Sequence, residues 1–180
     1  MKEKTKSSKI VYQGKFMHLL QDQVILPDNR ESERVFIKHP GGSSVLPITK
    51  DHHLVLVYQY RYPIQAISLE IPAGKKEKKG ESGLECAKRE LEEETGYVSD
   101  DIKLLYTIHP CVGYSDEVLD IFIARNCVPI QNPKKMDEDE FIEIGIFTVE
   151  EVKILLSTQH ITDAKTIIAI QAYLAMGESK

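Results

Sequence analysis

One segment in the middle of the chain carries both a start signal and a stop signal for a helix, and this constrains the fold more than any other feature. Ser82 precedes Glu85 by three residues, which is the spacing of a capping box, and Gly96 provides a natural helix end. The apolar residues between these signals recur at helical spacing, so one face of this helix is predicted to pack on a core.

Short runs of alternating or β-branched residues lie on both sides of this helix. The strand candidates are 11–16, 19–26, 34–38, 44–49, 54–60, 68–71, 103–108, 119–124 and 141–148. Two more helices are predicted over 149–156 and 163–176. The predicted order of elements is strands, one helix, more strands and then helices. This order favours an α/β (α+β) fold with a mixed sheet rather than a regularly alternating, doubly wound sheet.

The length of 180 residues suits one main domain with a small addition. Four lysines and no apolar cluster in residues 1–9 predict a flexible tail. Residues 10–42 are predicted to form an N-terminal antiparallel strand region, and 43–180 to form the main domain.

Charge and cysteine content exclude several classes of protein. The formal charge is 23 − 28 = −5, which disfavours a general nucleic-acid binder. No apolar run approaches the roughly 20 residues that cross a bilayer, and the first residues are too polar for a secretory signal. The three cysteines are odd in number and widely spaced, so we expect reduced thiols and a cytoplasmic protein.

The central helix is strongly acidic around one arginine. Glu90 and Glu94 are four residues apart and share a face, and Arg89 and Glu93 form an adjacent pair with the same spacing. Carboxylates that repel one another in this way are stabilised by a divalent cation, and oxygen ligands favour Mg²⁺, with Mn²⁺ as a substitute. The spacing is equally consistent with a solvated acidic helix face.

The surrounding residues extend this pattern into a longer motif. The segment EIPAG at 70–74 and the segment RELEEETG at 89–96 together resemble the Nudix box, the signature of hydrolases that act on nucleoside diphosphates linked to another moiety. Six residues separate Gly74 from Glu81, one more than in the usual form of the box. The additional residue therefore falls in the lysine-rich loop before the helix.

The resemblance covers most of the chain and implies the Nudix fold, a mixed sheet sandwiched between helices, together with a set of functional residues. The implied metal ligands are the carbonyl of Ala73 and the carboxylates of Glu90, Glu94 and Glu140. The implied catalytic residues are Arg89, which orients the glutamates, and Glu93, Glu138 and Glu140 as candidates for the general base. The implied substrate-binding residues are Arg61, Glu70, Gly74, Ser115, Asp116 and Glu117. Glu81 matches a glutamate that supports the loop.

The similarity is greatest to the branch of ADP-ribose pyrophosphatases and nucleoside-diphosphate-sugar hydrolases. It implies a magnesium-dependent homodimer, formed with the help of the N-terminal strands, that cleaves such sugars to a nucleoside monophosphate and a sugar phosphate. Val112 stands where ADP-ribose enzymes typically have proline, which widens the expected substrates to sugars such as GDP-mannose and ADP-glucose. The alternatives are a non-catalytic Nudix module that binds a nucleotide sugar and a Nudix enzyme for dinucleotide polyphosphates. No nucleic-acid or membrane partner is expected.

Overall fold

The computed structural model describes residues 1–77, 80–134 and 141–177. The chain forms two compact units, one made of Met1–Gly41 and His109–Val118 and the other of Gly42–Ile108 and Leu119–Lys180. The segment 109–118 was predicted to belong to the main domain. It groups instead with the first unit, because the backbone of Ile37 bonds to the amide of Asp116 and the carbonyl of Tyr114.

The first unit is built on a three-stranded antiparallel sheet with the strand order β1-β2-β3. Its strands are β1 (Lys4–Gln13), β2 (His18–Ile25) and β3 (Glu31–Lys38). Because β1 begins at Lys4, most of the segment predicted as a flexible tail is a paired strand. Backbone pairing with β2 along its length, and ion pairs such as Lys6 with Glu31 at 2.5 Å, hold this polar strand in place without an apolar cluster.

The second unit contains a mixed sheet. Its strands are β4 (Gly42–Thr49), β5 (Leu54–Arg61), β6 (Ala66–Glu70), β7 (Ala73–Lys75), β8 (Tyr97–Val98), β9 (Asp101–Ile108), β10 (Leu119–Pro129) and β11 (Ile142–Phe147). The main path runs β11-β5-β4-β10-β8, while β6 pairs with β5, β7 with β4, and β9 with β10. The pair β4–β10 is parallel and the other pairs are antiparallel.

Helices cover both faces of this sheet. They are α1 (Gly83–Thr95), α2 (Val149–Ser157) and α3 (Ala164–Ala175). Successive residues of a strand point to opposite faces, so β4 contributes side chains to two cores, one on each face of the sheet. Val45 packs in one core with Ala87 and Leu91 of α1, whereas Leu46 packs in the other with Tyr173 of α3. The predicted mixed α/β sandwich is confirmed.

None of the helices in the described ranges has the length and apolar character needed to cross a membrane.

The start of α3 is bonded to the segment between β6 and β7. Asp163 caps α3 by accepting hydrogen bonds from the backbone amide and the hydroxyl of Thr166, at 3.0 and 2.6 Å. The same hydroxyl accepts a bond from the amide of Ile71 at 2.8 Å, and Thr166 is fully buried. One hydroxyl therefore satisfies a buried amide that follows strand β6.

We expect Thr166→Val to lower the free energy of unfolding by about 1–3 kcal/mol, because it leaves the buried amide of Ile71 without its acceptor. Thr158→Val is the matched control, since the exposed hydroxyl of Thr158 bonds a carbonyl that water can reach. The two variants are compared by urea denaturation. Equal stability of both variants would contradict this account.

Candidate functional site

The candidate site is built on α1, and local hydrogen bonds define both ends of this helix. The hydroxyl of Ser82 accepts a bond from the amide of Glu85 at 3.2 Å, and the carboxylate of Glu85 accepts from the amide of Ser82 at 2.9 Å. Gly96 ends the helix in the left-handed region with φ of 68°. The predicted capping box and stop are confirmed, and they fix which residues of α1 face β7.

Arg89 lies at the centre of a group of carboxylates. Its guanidinium contacts Glu81 at 3.2 Å, Glu90 at 2.7 Å and Glu93 at 3.0 Å, and it donates to the carbonyl of Lys75 at 3.0 Å. Burial alone would lower the pKa of Arg89, but the nearby carboxylates, led by Glu90, raise it above the ordinary value. A permanent positive charge therefore offsets the repulsion among these carboxylates and ties α1 to the end of β7.

Glu90 and Glu94 converge on the backbone of β7. The amide of Ala73 donates to Oε2 of Glu94 at 3.1 Å, and both glutamates are buried. A β-carbon built on Gly74 would lie 1.8 Å from Oε1 of Glu90. Only glycine leaves room for this carboxylate beside the strand, so the close approach accounts for the glycine of the motif.

The ligands expected here fit a hard divalent cation, because the carboxylates of Glu90 and Glu94 and the carbonyl of Ala73 all offer oxygen atoms. Within the described ranges no group of three or more His, Cys, Asp or Glu side chains is arranged to hold a metal ion. Glu140, the further predicted ligand, lies outside the described residues, as does Glu138. Of the predicted metal ligands, Glu90, Glu94 and Ala73 are the ones that lie within the described residues.

The structure brings two of the predicted substrate-binding residues into direct contact. Arg61 donates from Nε to Oε1 of Glu70 at 2.7 Å and from Nη2 to Oε2 at 2.6 Å. Glu70 is buried and also bonds Lys165. Burial would raise the pKa of Glu70, but the bonds from Arg61 and the charge of Lys165 lower it to about 2. Both oxygens of Glu70 are therefore engaged by protein cations, while Nη1 of Arg61 takes no part in this pair.

The other predicted substrate-binding residues, Ser115, Asp116 and Glu117, belong to the first unit. Asp116 accepts from the amide of His39 at 2.8 Å and pairs with Lys38 at 2.5 Å. Ser115 accepts through its hydroxyl from the amide of Glu117 at 3.1 Å. Within their own unit, these side chains hold the segment 109–118 in place.

Several polar residues that support the site were not predicted from the sequence. Lys76 pairs with Asp120 of β10 at 3.0 Å, and the amide of Glu77 donates to Glu81 at 2.7 Å, so both bonds tie down the loop after β7. Its residues 78 and 79 lie outside the described ranges. Asp120 is an acidic residue in an otherwise apolar stretch of strand, and this pattern could have identified it as a supporting residue. Lys165 gave no such signal, because its partner Glu70 is distant in the sequence.

Two family models match the chain. The NUDIX domain matches residues 38–169, and the nucleoside diphosphate sugar hydrolase N-terminal domain matches residues 3–36.

Two curated relatives align with nearly the whole chain. It is 37% identical to the ADP-ribose pyrophosphatase of Bacillus subtilis (strain 168), over 99% of this chain and 96% of that protein. It is also 37% identical to the methanol dehydrogenase activator of Bacillus methanolicus, over 98% of this chain and 95% of that protein. A crystal structure of an ADP compounds hydrolase superposes with a TM-score of 0.82 at 20% identity, covering 100% of this chain and 98% of the other. That likeness shows a shared fold.

We expect Gly74→Ala to weaken Mn²⁺ binding by at least about tenfold, because the new methyl group displaces the carboxylate of Glu90. The measurement is a Mn²⁺ titration followed by electron paramagnetic resonance. Gly113→Ala is the control, since a β-carbon there meets no atom within 4 Å. Unchanged affinity in a folded Gly74→Ala protein would show that Glu90 does not hold the ion.

Proposed function

Because this chain belongs to the NUDIX family and contains the N-terminal domain of the nucleoside diphosphate sugar hydrolases, we propose that it cleaves nucleoside diphosphate sugars into a nucleoside monophosphate and a sugar phosphate. It is a Nudix hydrolase of the ADP-ribose pyrophosphatase type. ADP-ribose is the first substrate to test, and GDP-mannose and ADP-glucose are the next.

The observation that carries this proposal is the convergence of Glu90 and Glu94 on the backbone of Ala73 and Gly74, held by Arg89. Burying two carboxylates side by side is costly even when each has a hydrogen-bonding partner, and a role in holding a divalent cation accounts for that cost. The arrangement supports an intact catalytic centre over a module that only binds nucleotide sugars.

Nudix hydrolases generally use divalent metal ions, and we propose Mg²⁺ here, with Mn²⁺ as a substitute. Glu90, Glu94 and the carbonyl of Ala73 would hold it, together with Glu140. When bound, such an ion neutralises the charge of a pyrophosphate and lowers the pKa of a bound water.

The chain's own residues bind the substrate and accept the proton. Arg61 binds a phosphate oxygen through Nη1, the part of its guanidinium outside the pair with Glu70. Glu93, Glu138 and Glu140 are the candidates for the general base that takes the proton of the attacking water. Gly74 contributes the space beside Glu90.

The substrate-binding roles of the remaining predicted residues belong to the same proposal. Glu70 acts by holding Arg61, since both of its oxygens are occupied by cations. Ser115, Asp116 and Glu117 form a substrate loop whose shape depends on their bonds within the first unit. We place the protein in the cytoplasm, which the three free cysteines support.

Turnover is tested by coupled phosphate release from ADP-ribose, GDP-mannose, ADP-glucose and diadenosine polyphosphates with Mg²⁺. We expect Glu94→Gln to lose at least about 100-fold in kcat, because a neutral amide is a poor ligand for the ion. Glu92→Gln is the matched control on the same helix, since Glu92 pairs with the exposed Lys134 instead.

Three results would count against the proposal. Equal loss in Glu92→Gln would indicate a general defect of the helix. Turnover confined to diadenosine polyphosphates would assign the chain to another Nudix substrate class. Binding of nucleotide sugars with no turnover of any compound would assign it to the non-catalytic modules.

We also propose a homodimer. The apolar side chains of Ile10, Val11 and Tyr12 on β1 are all more than half exposed, and an exposed apolar stretch of this kind is typical of a surface that packs on another chain. Strand β1 is also exposed along its whole length. A second copy of the chain that packs on β1 would bury these side chains.

Light scattering is expected to give about twice the chain mass of 20.5 kDa. Tyr12→Glu is expected to shift the protein toward the monomer, because it places a charge in the apolar contact. Ile154→Glu on α2 is the control, since it changes a similarly exposed apolar residue in the other unit. A wild-type mass of one chain would rule the dimer out.

A further inference from the structure

A nearly buried lysine connects α3 to the candidate site. Lys165 is 11% exposed and contacts Oε2 of Glu70, and its ammonium group lies 3.1 Å from Oδ1 of Asp163. The residue lies in the first turn of α3, where the positive end of the helix dipole makes a cation unfavourable. A buried lysine at this end of a helix therefore depends on its two carboxylates.

Glu70 is shared between two cations. Arg61 binds it through two parallel hydrogen bonds, and Lys165 binds one of the same oxygens. A carboxylate that paired with Arg61 alone would cancel the charge of that guanidinium. Because Lys165 takes up part of the negative charge of Glu70, Arg61 keeps positive charge for a second anion.

The second carboxylate near Lys165 is partly committed elsewhere. Oδ2 of Asp163 accepts the bonds that cap α3, and only Oδ1 faces Lys165. The hydrogen bonds that Arg61 donates to Glu70 do most to raise the pKa of Arg61, burial lowers it, and the nearby charges of Glu94 and Asp163 raise it further. Arg61 therefore lies within the electrostatic field of the acidic helix, where a pyrophosphate is proposed to bind.

We propose that Lys165 is a positioning residue for the substrate phosphate: it fixes Glu70 and offsets its charge, and thereby holds Arg61 in place with positive charge to spare. This role rests on the proposed pyrophosphohydrolase function. It predicts an effect on substrate binding that is transmitted through Arg61 and that depends on the charge at position 165.

Steady-state kinetics with ADP-ribose test the role. Lys165→Gln is expected to raise KM about tenfold while kcat changes less than about threefold, because a charge-assisted contact to the ground state is weakened. Lys165→Arg, which keeps the charge, is expected to restore KM to within about threefold of the wild type. Lys153→Gln on α2 is the matched control, since it removes an equal charge from an exposed pair with Glu150.

A double-mutant cycle tests whether Lys165 acts through Arg61. In an Arg61→Gln background, Lys165→Gln is expected to raise KM by less than about twofold, since the residue it positions is gone. Additive effects of the two changes on KM would show that Lys165 contributes independently and would overturn the proposal.

Asp163→Asn provides a test that does not depend on the folding of Lys165→Gln. Asparagine also caps helices, so the start of α3 is preserved, while one negative charge near Arg61 is removed and Lys165 is left with Glu70 as its carboxylate partner. KM for ADP-ribose is expected to fall about two- to threefold. An unchanged or higher KM would overturn the charge argument.

The outcomes separate this inference from the proposed function. A wild-type protein without turnover of any nucleotide sugar means that the proposed function has failed. An active wild type whose KM is unaltered in a folded Lys165→Gln variant means that only the role of Lys165 has failed. A loss of kcat and melting temperature that Lys165→Arg does not restore, with KM unchanged, would assign Lys165 to the packing of α3 alone.

Discussion

One guanidinium holds most of the acidic residues of the candidate site together. Arg89 is shared among Glu81, Glu90 and Glu93, and its Nη2 donates to the carbonyl of Lys75. Without this cation, three carboxylates would repel one another in a place where water cannot screen them well. With it, Glu90 and Glu94 of α1 lie against β7, while the neighbouring apolar residues Ala87 and Leu91 pack in the core beneath the helix.

The segment between β6 and β7 is the second part of this arrangement, because it is bonded to helices on both faces of the sheet. The amide of Ala73 donates to Glu94 of α1, whereas the amide of Ile71 and the carboxylate of Glu70 bond to Thr166 and Lys165 of α3. Successive residues of an extended segment point to opposite sides, so this short segment can bond to two helices without any contact between them being needed. The proposed ion-binding side and the proposed phosphate-binding side are thereby positioned by the same short stretch of backbone.

Local signals predicted the parts of the molecule that local interactions form. The capping box at Ser82, the stop at Gly96 and the i,i+4 pairing of Arg89 with Glu93 all involve residues within one or two turns. The start of β1 at Lys4 was not predicted, because its polar residues show no apolar alternation. The short strand β7 and the grouping of 109–118 with the first unit were not predicted, because both depend on backbone pairing with partners distant in the sequence. Lys165 was missed for the same reason, since a buried ion pair between distant residues leaves no periodic pattern.

The parallel pairing of β4 with β10 has a consequence for the order in which the chain becomes structured. Leu119 lies opposite Gly42, and Phe122 of β10 belongs to the core that supports α1. The chain must close a long loop before β4 and β10 can pair, so we expect this pairing to form slowly and late in folding. During synthesis, α1 can coil as soon as it leaves the ribosome, but the core beneath it lacks Phe122 until β10 has emerged. The proposed catalytic centre is therefore expected to become stable only after β10 has been made.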